Sequence, residues 1–320
     1  MRFFDSSQVH GALPYASLVP ALIDAHHRDV DLSQSLLQTQ PSAGGGEDIF
    51  LSLPAWQRGH AMGAKLVTVF PHNELNGSGL PSVQAVFVLF DGANGKPRAV
   101  VDGTALTLRK TASDSAAGSH FLAREDCKSL LVVGAGALAP HLAMAHLAVR
   151  PAIRRVAVWN RTASRAASMV RDLDLPGVEL TTVRDLEAAT READLITCAT
   201  MATEPLILGK WLKPGTHLDL VGSFRTDMHE CDGEAISRSS VFVDSPWSAL
   251  EDSGELITAF SEGTLSREDI QADLFDLARG KHPGRRSGRE ITVYKNGGGG
   301  HLDLMVAGIL LAEDSSGPAG

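Results

Sequence analysis

The 320-residue sequence contains few cysteines, and their placement argues against a disulfide framework or a metal site. Cys127, Cys198 and Cys231 are odd in number and widely spaced, whereas disulfide-rich and zinc-binding proteins carry closely spaced sets. The run His-Glu-Cys-Asp at 229–232 does not change this expectation, because consecutive side chains do not face one centre. We therefore expect no metal and a reducing, cytoplasmic location.

The sequence also lacks long apolar runs and clusters of basic residues. No uninterrupted apolar run approaches the ~18–20 residues that cross a bilayer, and the start from Met1 to Asp5 does not have the pattern of an export signal. Acidic residues outnumber basic ones by 38 to 29, which gives a formal charge of −9. Neither a membrane nor nucleic acid is therefore expected as a partner.

The first part of the chain has the pattern of a helix followed by an antiparallel sheet. Apolar residues recur at helical spacing from 11 to 40 and lead into Pro41 and a glycine-rich, flexible segment at 42–46. Alternating segments predict strands at 49–53, 64–69, 83–90 and 98–102. A stretch of small residues at 111–122 predicts a helix that links this sheet to the next domain.

Between 129 and 244 strand-like and helix-like segments alternate, which implies parallel strands joined by right-handed crossovers. The predicted strands lie at 130–133, 155–159, 180–183, 193–197, 216–221 and 241–244. A helix at 267–279, a strand at 291–294, a helix at 302–311 and a frayed tail at 315–320 complete the pattern. The expected fold class is α/β, with a Rossmann-type parallel-sheet domain and a mixed α+β domain that contains an antiparallel sheet.

A glycine-rich turn follows the first predicted parallel strand. The segment Gly134-Ala135-Gly136-Ala137-Leu138-Ala139 matches the G-x-G-x-x-G/A fingerprint of dinucleotide-binding proteins. It follows four apolar strand residues and precedes a helix predicted at 142–149, whose free amides and dipole would hold a pyrophosphate. Gly134, Gly136, Ala137 and Leu138 are therefore predicted to contact a dinucleotide; the alternative is a tight turn without a ligand.

The end of the second parallel strand indicates which dinucleotide binds. NAD-dependent proteins carry a carboxylate there for the ribose hydroxyls, whereas this chain has Trp159-Asn160-Arg161-Thr162, followed by Arg165. Guanidinium and hydroxyl groups suit a dianionic 2′-phosphate, so Asn160, Arg161, Thr162 and Arg165 favour NADPH, with NADH possible; the alternative is an exposed helix cap. Thr200, after the fourth strand, is expected over the same crevice.

Three basic residues of the first domain have two interpretations each. Lys65 lies between apolar neighbours in a predicted strand and is either an edge residue or an inward-facing charge. Arg109 and Lys110 are either a solvated pair or a clamp for a carboxylate. The residues alone leave these alternatives open.

The order of several short segments resembles the ornithine cyclodeaminase/mu-crystallin family. These segments are 63–68 (Gly-Ala-Lys-Leu-Val-Thr), 71–73 (Pro-His-Asn), 79–82 (Gly-Leu-Pro-Ser) and 102–107 (Asp-Gly-Thr-Ala-Leu-Thr). The likeness continues through 110–112, the glycine turn, 243–245, 253–256 and the closing glycine-rich segment with Asp303-Leu304. It covers nearly the whole chain.

The resemblance implies a homodimer with a substrate and dimerisation domain at 1–124 plus 291–320 and a cofactor domain at 125–290. It also implies roles for particular residues. Lys65 is the catalytic candidate. The substrate candidates are Lys65, Arg109, Lys110 and His301. Cofactor contacts are further expected from Ser82, Lys110 and Val221.

Two departures from the family pattern help to select a reaction. Phe224 stands where cyclodeaminases carry an acidic residue, and a phenyl ring cannot take a proton from water. Lys110 replaces a family arginine, and the other early arginine, expected near 40–46, is missing. The pattern resembles the branch that reduces Δ1-pyrroline-2-carboxylate to L-proline and Δ1-piperideine-2-carboxylate to L-pipecolate.

This resemblance predicts hydride transfer from NADPH to the C=N carbon of a cyclic imino acid, with Lys65 and Lys110 anchoring its carboxylate. Lys65 is alternatively the proton donor, and His72 and His301 are secondary candidates for proton transfer. The rival functions are an alanine or other amino-acid dehydrogenase, an ornithine cyclodeaminase that uses Asp227, and a crystallin-like NADPH-dependent binding protein.

Overall fold

The computed structural model describes residues 1–32, 34–42, 45–74 and 79–316. Its strands are β1 (Arg2–Phe4), β2 (Asp31–Leu32), β3 (Leu36–Pro41), β4 (Glu47–Gln57), β5 (Ala61–Val69), β6 (Val83–Asp91), β7 (Pro97–Asp102), β8 (Ser129–Val133), β9 (Arg155–Trp159), β10 (Glu179–Thr182), β11 (Leu195–Cys198), β12 (His217–Leu220), β13 (Ser240–Val243), β14 (Ala272–Asp273) and β15 (Thr292–Lys295). Its α-helices are α1 (Ser6–Ala12), α2 (Tyr15–Ala25), α3 (Gly103–Leu122), α4 (Ala139–Val149), α5 (Ala163–Asp172), α6 (Leu186–Glu192), α7 (Gly233–Ser237), α8 (Pro246–Asp252), α9 (Gly254–Ser261), α10 (Leu274–Ala278) and α11 (Gly300–Ser316).

The chain forms two compact units. The first contains Met1–Lys110 and the C-terminal segment from Gly299, and the second is Thr111–Gly298. The family resemblance implies domain bounds at 124/125 and 290/291, and these bounds stay a prediction. The first boundary between the compact units falls inside α3, which is continuous from Gly103 to Leu122.

The first unit is built on a mixed seven-stranded sheet in the order β1-β7-β6-β5-β4-β2, with β3 also paired to β4. β1 runs parallel to β7, and the other pairs are antiparallel. Helices α11 and α2 pack together, and α11 contacts β4, β5 and β6. Side chains alternate between the two faces, so Lys65, Val67 and Phe87 are buried on one face while Val86 is exposed on the other.

The long helix predicted at 11–40 is wrong. Helix α2 ends at Ala25, and residues Leu36–Pro41 form β3, which pairs antiparallel with β4 between Leu36↔Ser52 and Pro41↔Glu47. Leu36 and Leu37 fit a helical repeat in sequence, but the backbone ladder with β4 overrides that local pattern. Of the predicted flexible segment at 42–46, residues 43 and 44 lie outside the described residues.

The second unit is a doubly wound α/β fold. Its eight-stranded sheet has the order β10-β9-β8-β11-β12-β15-β13-β14, and each pair is parallel. Leu131 and Val133 belong to one buried apolar cluster, whereas Leu130 and Val132 belong to another. Both faces of β8 are therefore covered, which explains its uninterrupted apolar sequence.

The predicted parallel strands and the expected fold class are confirmed. The helix predicted at 267–279 is wrong, because that segment contains a short 3-10 turn at Arg267–Asp269, strand β14 and the five-residue helix α10. Strand β14 pairs with β13, a contact that the local sequence pattern does not predict. Of the predicted tail, residues 317–320 lie outside the described residues. None of the described helices is long and apolar enough to cross a membrane.

Candidate active site

The glycine turn of the second unit lies at the carboxyl end of β8. Gly134 adopts φ +112°, a conformation that side chains rarely permit. Its N–H donates to the Trp159 carbonyl at 2.8 Å, and a Cβ atom would lie 2.5 Å from the Ala199 carbonyl oxygen. The backbone therefore requires glycine here, since β9 and the segment after β11 approach it closely.

Gly136, unlike Gly134, is not required by contacts within the protein. A Cβ atom at this position would meet no described protein atom within 4 Å, and Gly136 and Ala137 are both exposed. Leu138, at the cap of α4, provides no side-chain hydrogen bond to the helix start. Open space beside a glycine turn that leads into a helix is the arrangement that accepts a pyrophosphate.

Asn160, which follows β9, forms hydrogen bonds that stabilise the glycine turn. Its Oδ1 accepts from the Ala135 N–H at 3.1 Å, and its Nδ2 donates to the Thr162 carbonyl at 2.9 Å. The amide thus joins the glycine turn to the segment that precedes α5. This local role leaves the neighbouring hydroxyl and guanidinium groups to face a ligand.

Arg161 and Arg165 are exposed at a cavity of about 320 Å³ in the second unit. The residues that line it include Gly134, Ala135, Gly136, Trp159, Asn160, Arg161, Thr162, Arg165, Ala199, Thr200, Met201, Ala202 and Leu206. Within the part of the chain that the structure describes, neither guanidinium forms an ion pair. The cavity thus contains several of the cofactor candidates predicted from sequence. Two of them, Arg161 and Arg165, carry a positive charge that no described residue compensates.

Glu230 is a residue of this region that the sequence analysis did not identify as functional. It is fully buried, and its carboxylate accepts hydrogen bonds from the Thr200 N–H and hydroxyl and from the Val221 and Gly222 N–H groups. Burial, with the nearby charge of Glu255, raises its pKa to about 7 against the opposing effect of Lys295. No sequence pattern around Glu230 identifies it, because its hydrogen-bond donors lie in two other loops.

The surroundings of Phe224 are consistent with the absence of the acidic residue that cyclodeaminases carry at this position. Phe224 is exposed, and Asp227, the nearest following carboxylate, forms an exposed ion pair with Arg225 at 2.8 Å. The hydrogen bond from Arg225 lowers the pKa of Asp227, so this carboxylate is a weak base.

In the first unit, Lys65 is an inward-facing charge near the middle of β5. It lies opposite Leu53 and Phe87 in the sheet and is 8% exposed. Its Nζ donates to the Thr107 hydroxyl at 2.7 Å, and that hydroxyl donates to the Gly103 carbonyl at 2.7 Å. The edge-residue alternative is therefore excluded.

A second lysine and an aspartate complete this buried cluster. Asp303 lies 3.4 Å from Lys65 Nζ and 3.8 Å from Lys110 Nζ. Lys110 Nζ also lies 3.4 Å from the Gly299 carbonyl oxygen. Burial lowers the pKa of Lys65, and Lys110 lowers it further while Asp303 opposes the shift. With its three groups ionised the cluster carries one uncompensated positive charge, so an anion would stabilise it.

The other predicted site residues of the first unit lie in different surroundings. The Arg109 guanidinium donates to His10 Nδ1 at 3.0 Å and stacks on Tyr15 at 4.6 Å, and is therefore engaged by the N-terminal segment. His301 is fully buried beside His26, with ring centroids 6.3 Å apart, and burial lowers its pKa well below the usual value. The predicted roles of Arg109, His301, Lys110 and Ser82 stay predictions.

His72 also lies outside the lysine cluster. Its Nε2 lies 2.5 Å from the Gly45 carbonyl oxygen, so the ring is held by a backbone group. The proposed role of His72 in proton transfer gains no support from this contact.

Comparison with known proteins identifies the family of the chain. A sequence profile of the ornithine cyclodeaminase/mu-crystallin family matches residues 37–312. The chain is 41% identical over 314 residues to the Δ1-pyrroline-2-carboxylate reductase of Paracoccus denitrificans, covering 96% of this chain and 95% of that protein. It is 45% identical over 264 residues to the Arabidopsis thaliana protein SAR DEFICIENT 4, covering 80% of each.

A solved structure agrees with this assignment over the whole length. The Δ1-pyrroline-2-carboxylate reductase of Thermococcus litoralis, in complex with NADH and L-proline, has a TM-score of 0.86 and 28% identity. The match covers 99% of this chain and 98% of that one. The chain therefore belongs to the ornithine cyclodeaminase/mu-crystallin family.

Proposed function

We propose that this protein is an oxidoreductase that uses NADPH to reduce cyclic ketimines, namely Δ1-pyrroline-2-carboxylate to L-proline and Δ1-piperideine-2-carboxylate to L-pipecolate. The observation that carries the proposal is the buried cluster of Lys65, Lys110 and Asp303, whose surplus positive charge suits a substrate carboxylate. The names of the Paracoccus and Thermococcus relatives support the same substrate class.

The first unit holds the substrate in this proposal. Lys65 and Lys110 bind the ring carboxylate, and the Thr107 hydroxyl keeps the Lys65 ammonium in place. A bound nicotinamide supplies the hydride that reduces the C=N bond. The lowered pKa of Lys65 also suits it to give a proton to the imine nitrogen, so anchoring and proton donation are two roles for the same ammonium.

The second unit holds the dinucleotide. The uncapped start of α4 receives the pyrophosphate, and the exposed Arg161 and Arg165 receive the 2′-phosphate that distinguishes NADPH from NADH. The Thermococcus relative was solved with NADH, so NADH is the alternative cofactor that experiments need to include.

The test is to follow NADPH oxidation with purified protein and three sets of substrates. We expect rapid oxidation with either cyclic imine, little with pyruvate plus ammonium, and, in a separate assay with NAD⁺, no release of ammonia from ornithine. Preference for pyruvate plus ammonium would indicate an amino-acid dehydrogenase. Binding of NADPH without turnover of any of them would indicate a binding protein. A comparison of the two imines would give the preferred ring size.

We further propose that the first unit forms a homodimer through the sheet face opposite Lys65. Phe50, Trp56 and Val86 are exposed on that face, since their positions in β4 and β6 alternate with the buried ones. Large exposed apolar side chains grouped on one face are typical of interfaces, and an antiparallel sheet face suits contact with a second copy of itself.

A double substitution tests the dimer. Phe50→Glu with Val86→Lys is expected to shift the solution mass from twice 33.9 kDa towards 33.9 kDa, because charges on an apolar interface are costly to desolvate. Light scattering after size exclusion measures the mass. Arg28→Glu, an exposed charge change in the same unit, is the control and should leave the dimer intact. A wild-type protein that is monomeric at micromolar concentration would contradict the proposal.

A further inference from the structure

Glu230 is buried away from solvent, yet its two carboxylate oxygens receive four hydrogen bonds from two loops. Oε1 accepts from the Thr200 N–H at 2.7 Å and the Thr200 hydroxyl at 2.9 Å. Oε2 accepts from the Val221 N–H at 3.1 Å and the Gly222 N–H at 2.7 Å. An ionised carboxylate only accepts hydrogen bonds and has about four acceptor sites, so the ionised form of Glu230 matches this set of donors and joins the two loops.

These two loops follow neighbouring parallel strands. Thr200 comes just after β11, Val221 just after β12, and the strands pair directly. They are packed so closely that a Cβ atom at Gly222 would collide with the Thr200 backbone and the Glu230 carboxylate. Ligands of doubly wound sheets lie beyond the carboxyl ends of the strands. In the proposed function the glycine turn and the end of β9 bind the adenosine half and the pyrophosphate, so the ends of β11 and β12 are left for the nicotinamide half.

We propose that Glu230 is a positioning residue for the nicotinamide half of the dinucleotide, acting through the backbone of Thr200 and Val221–Gly222. The inference rests on the proposed function, because it assumes that a nicotinamide dinucleotide binds the second unit. The hydrogen bonds that the Glu230 carboxylate accepts come from these two loops and not from the segments 134–139 or 160–165. Its loss should therefore affect one half of the cofactor and spare the other.

The backbone of Glu230 is itself held in place. Its N–H donates to Glu255 Oε1 at 2.8 Å, and its carbonyl accepts from the N–H groups of Leu206 and Ile207. Glu255 in turn accepts from the Ser253 hydroxyl at 3.0 Å. These hydrogen bonds hold the backbone of Glu230 in place. A change in the charge of its carboxylate is therefore expected to act on the two loops that donate to it.

The charged and titratable groups around Glu230 make its ionisation sensitive to pH near neutrality. Lys295 on β15 favours the carboxylate, while Glu255 on α9 opposes it. The thiols of Cys198 and Cys231 stay neutral, because burial raises the pKa of each well above its usual value. With a pKa of about 7, Glu230 gains a proton as the pH falls below neutrality. The protonated carboxyl group can accept fewer hydrogen bonds, so its contacts with the two loops become weaker.

The test compares NADPH with 2′-phospho-ADP-ribose, which carries the adenosine half, the 2′-phosphate and the pyrophosphate but no nicotinamide. For the wild type, the Kd of NADPH divided by the Kd of 2′-phospho-ADP-ribose is expected to rise as the pH falls from 8.5 to 6. Both ligands carry the same titrating 2′-phosphate, so its titration cancels in this ratio. Glu230→Gln is expected to weaken NADPH about tenfold at pH 8, since an amide faces two N–H donors with its own NH₂. Its ratio should no longer change with pH.

Several results would overturn the inference. Unchanged NADPH affinity in Glu230→Gln, or equal weakening of NADPH and 2′-phospho-ADP-ribose, would contradict the role of Glu230 as a positioning residue. A wild-type ratio that is flat with pH would do the same, even where the variant fails to fold. Glu234→Gln, a neighbouring glutamate at the start of α7, is the control and should behave as wild type. Failure of the wild type to bind any nicotinamide dinucleotide would instead contradict the proposed function.

Discussion

Replacing Lys65 with alanine is expected to lower kcat/KM for Δ1-pyrroline-2-carboxylate by about 10³-fold, while the Kd for NADPH stays within about twofold of wild type. Lys65 is buried, hydrogen-bonded to Thr107 and 3.4 Å from Asp303. Its removal takes away a charge that either binds the substrate carboxylate or protonates the imine. The dinucleotide is proposed to bind residues of the second unit, so its affinity should not depend on this side chain.

The Lys65 experiment includes variants that separate charge from packing. Lys65→Met keeps most of the side-chain volume and should be as inactive as the alanine variant, whereas Lys65→Arg keeps the charge and should retain part of the activity if anchoring is the main role. Lys96→Ala removes an exposed lysine of the same unit and should be fully active. Parallel loss of NADPH binding in Lys65→Ala, with a native circular dichroism spectrum, would show that Lys65 belongs to the cofactor site.

The variant Arg161→Ala is expected to weaken NADPH about 30-fold and to leave NADH within about twofold, because a charge-assisted hydrogen bond to the 2′-phosphate is lost. Arg161 is exposed at the cavity of the glycine turn and forms no ion pair with any described residue. Nothing in the fold of the second unit therefore depends on its charge, and unfolding temperature should not change.

The measurement for Arg161 is titration of both dinucleotides by fluorescence or calorimetry. Arg171→Ala is a matched control, since Arg171 lies on the helix that follows Arg161, is exposed and pairs with Asp172; its affinities should equal those of the wild type. Arg165→Ala is expected to act in the same direction as Arg161→Ala with a smaller loss. An unchanged preference between NADPH and NADH in a variant that carries both Arg161→Ala and Arg165→Ala would refute the assignment of the 2′-phosphate to these arginines.

The parallel sheet and its glycine turn could be predicted from sequence because their signals are local. Four apolar residues of β8 run directly into Gly134 and Gly136, so consecutive residues of the chain mark both the buried strand and the turn that follows it. Arg161 and Arg165 were identified for the same reason, since they follow β9 within a few residues.

Local signals failed where pairing decided the structure. Leu36 and Leu37 fit a helical pattern but belong to β3, because β4 offers them a ladder of backbone hydrogen bonds. Residues Ala272–Asp273 form β14 because β13 lies beside them. In both places several conformations suit the sequence, and the neighbouring strand selects one.

By itself the sequence determined that this protein has a Rossmann-type unit with a glycine turn after its first strand, and the resemblance of its short segments pointed to the family that the comparisons show. Only the tertiary structure decided which way Lys65 faces, joined it to Lys110 and to Asp303 on the last helix, and placed Glu230 between the loops after β11 and β12. The reason is physical: a turn or an apolar strand is specified by neighbours in the chain, whereas the charge balance of a buried site is set by side chains that only folding brings together.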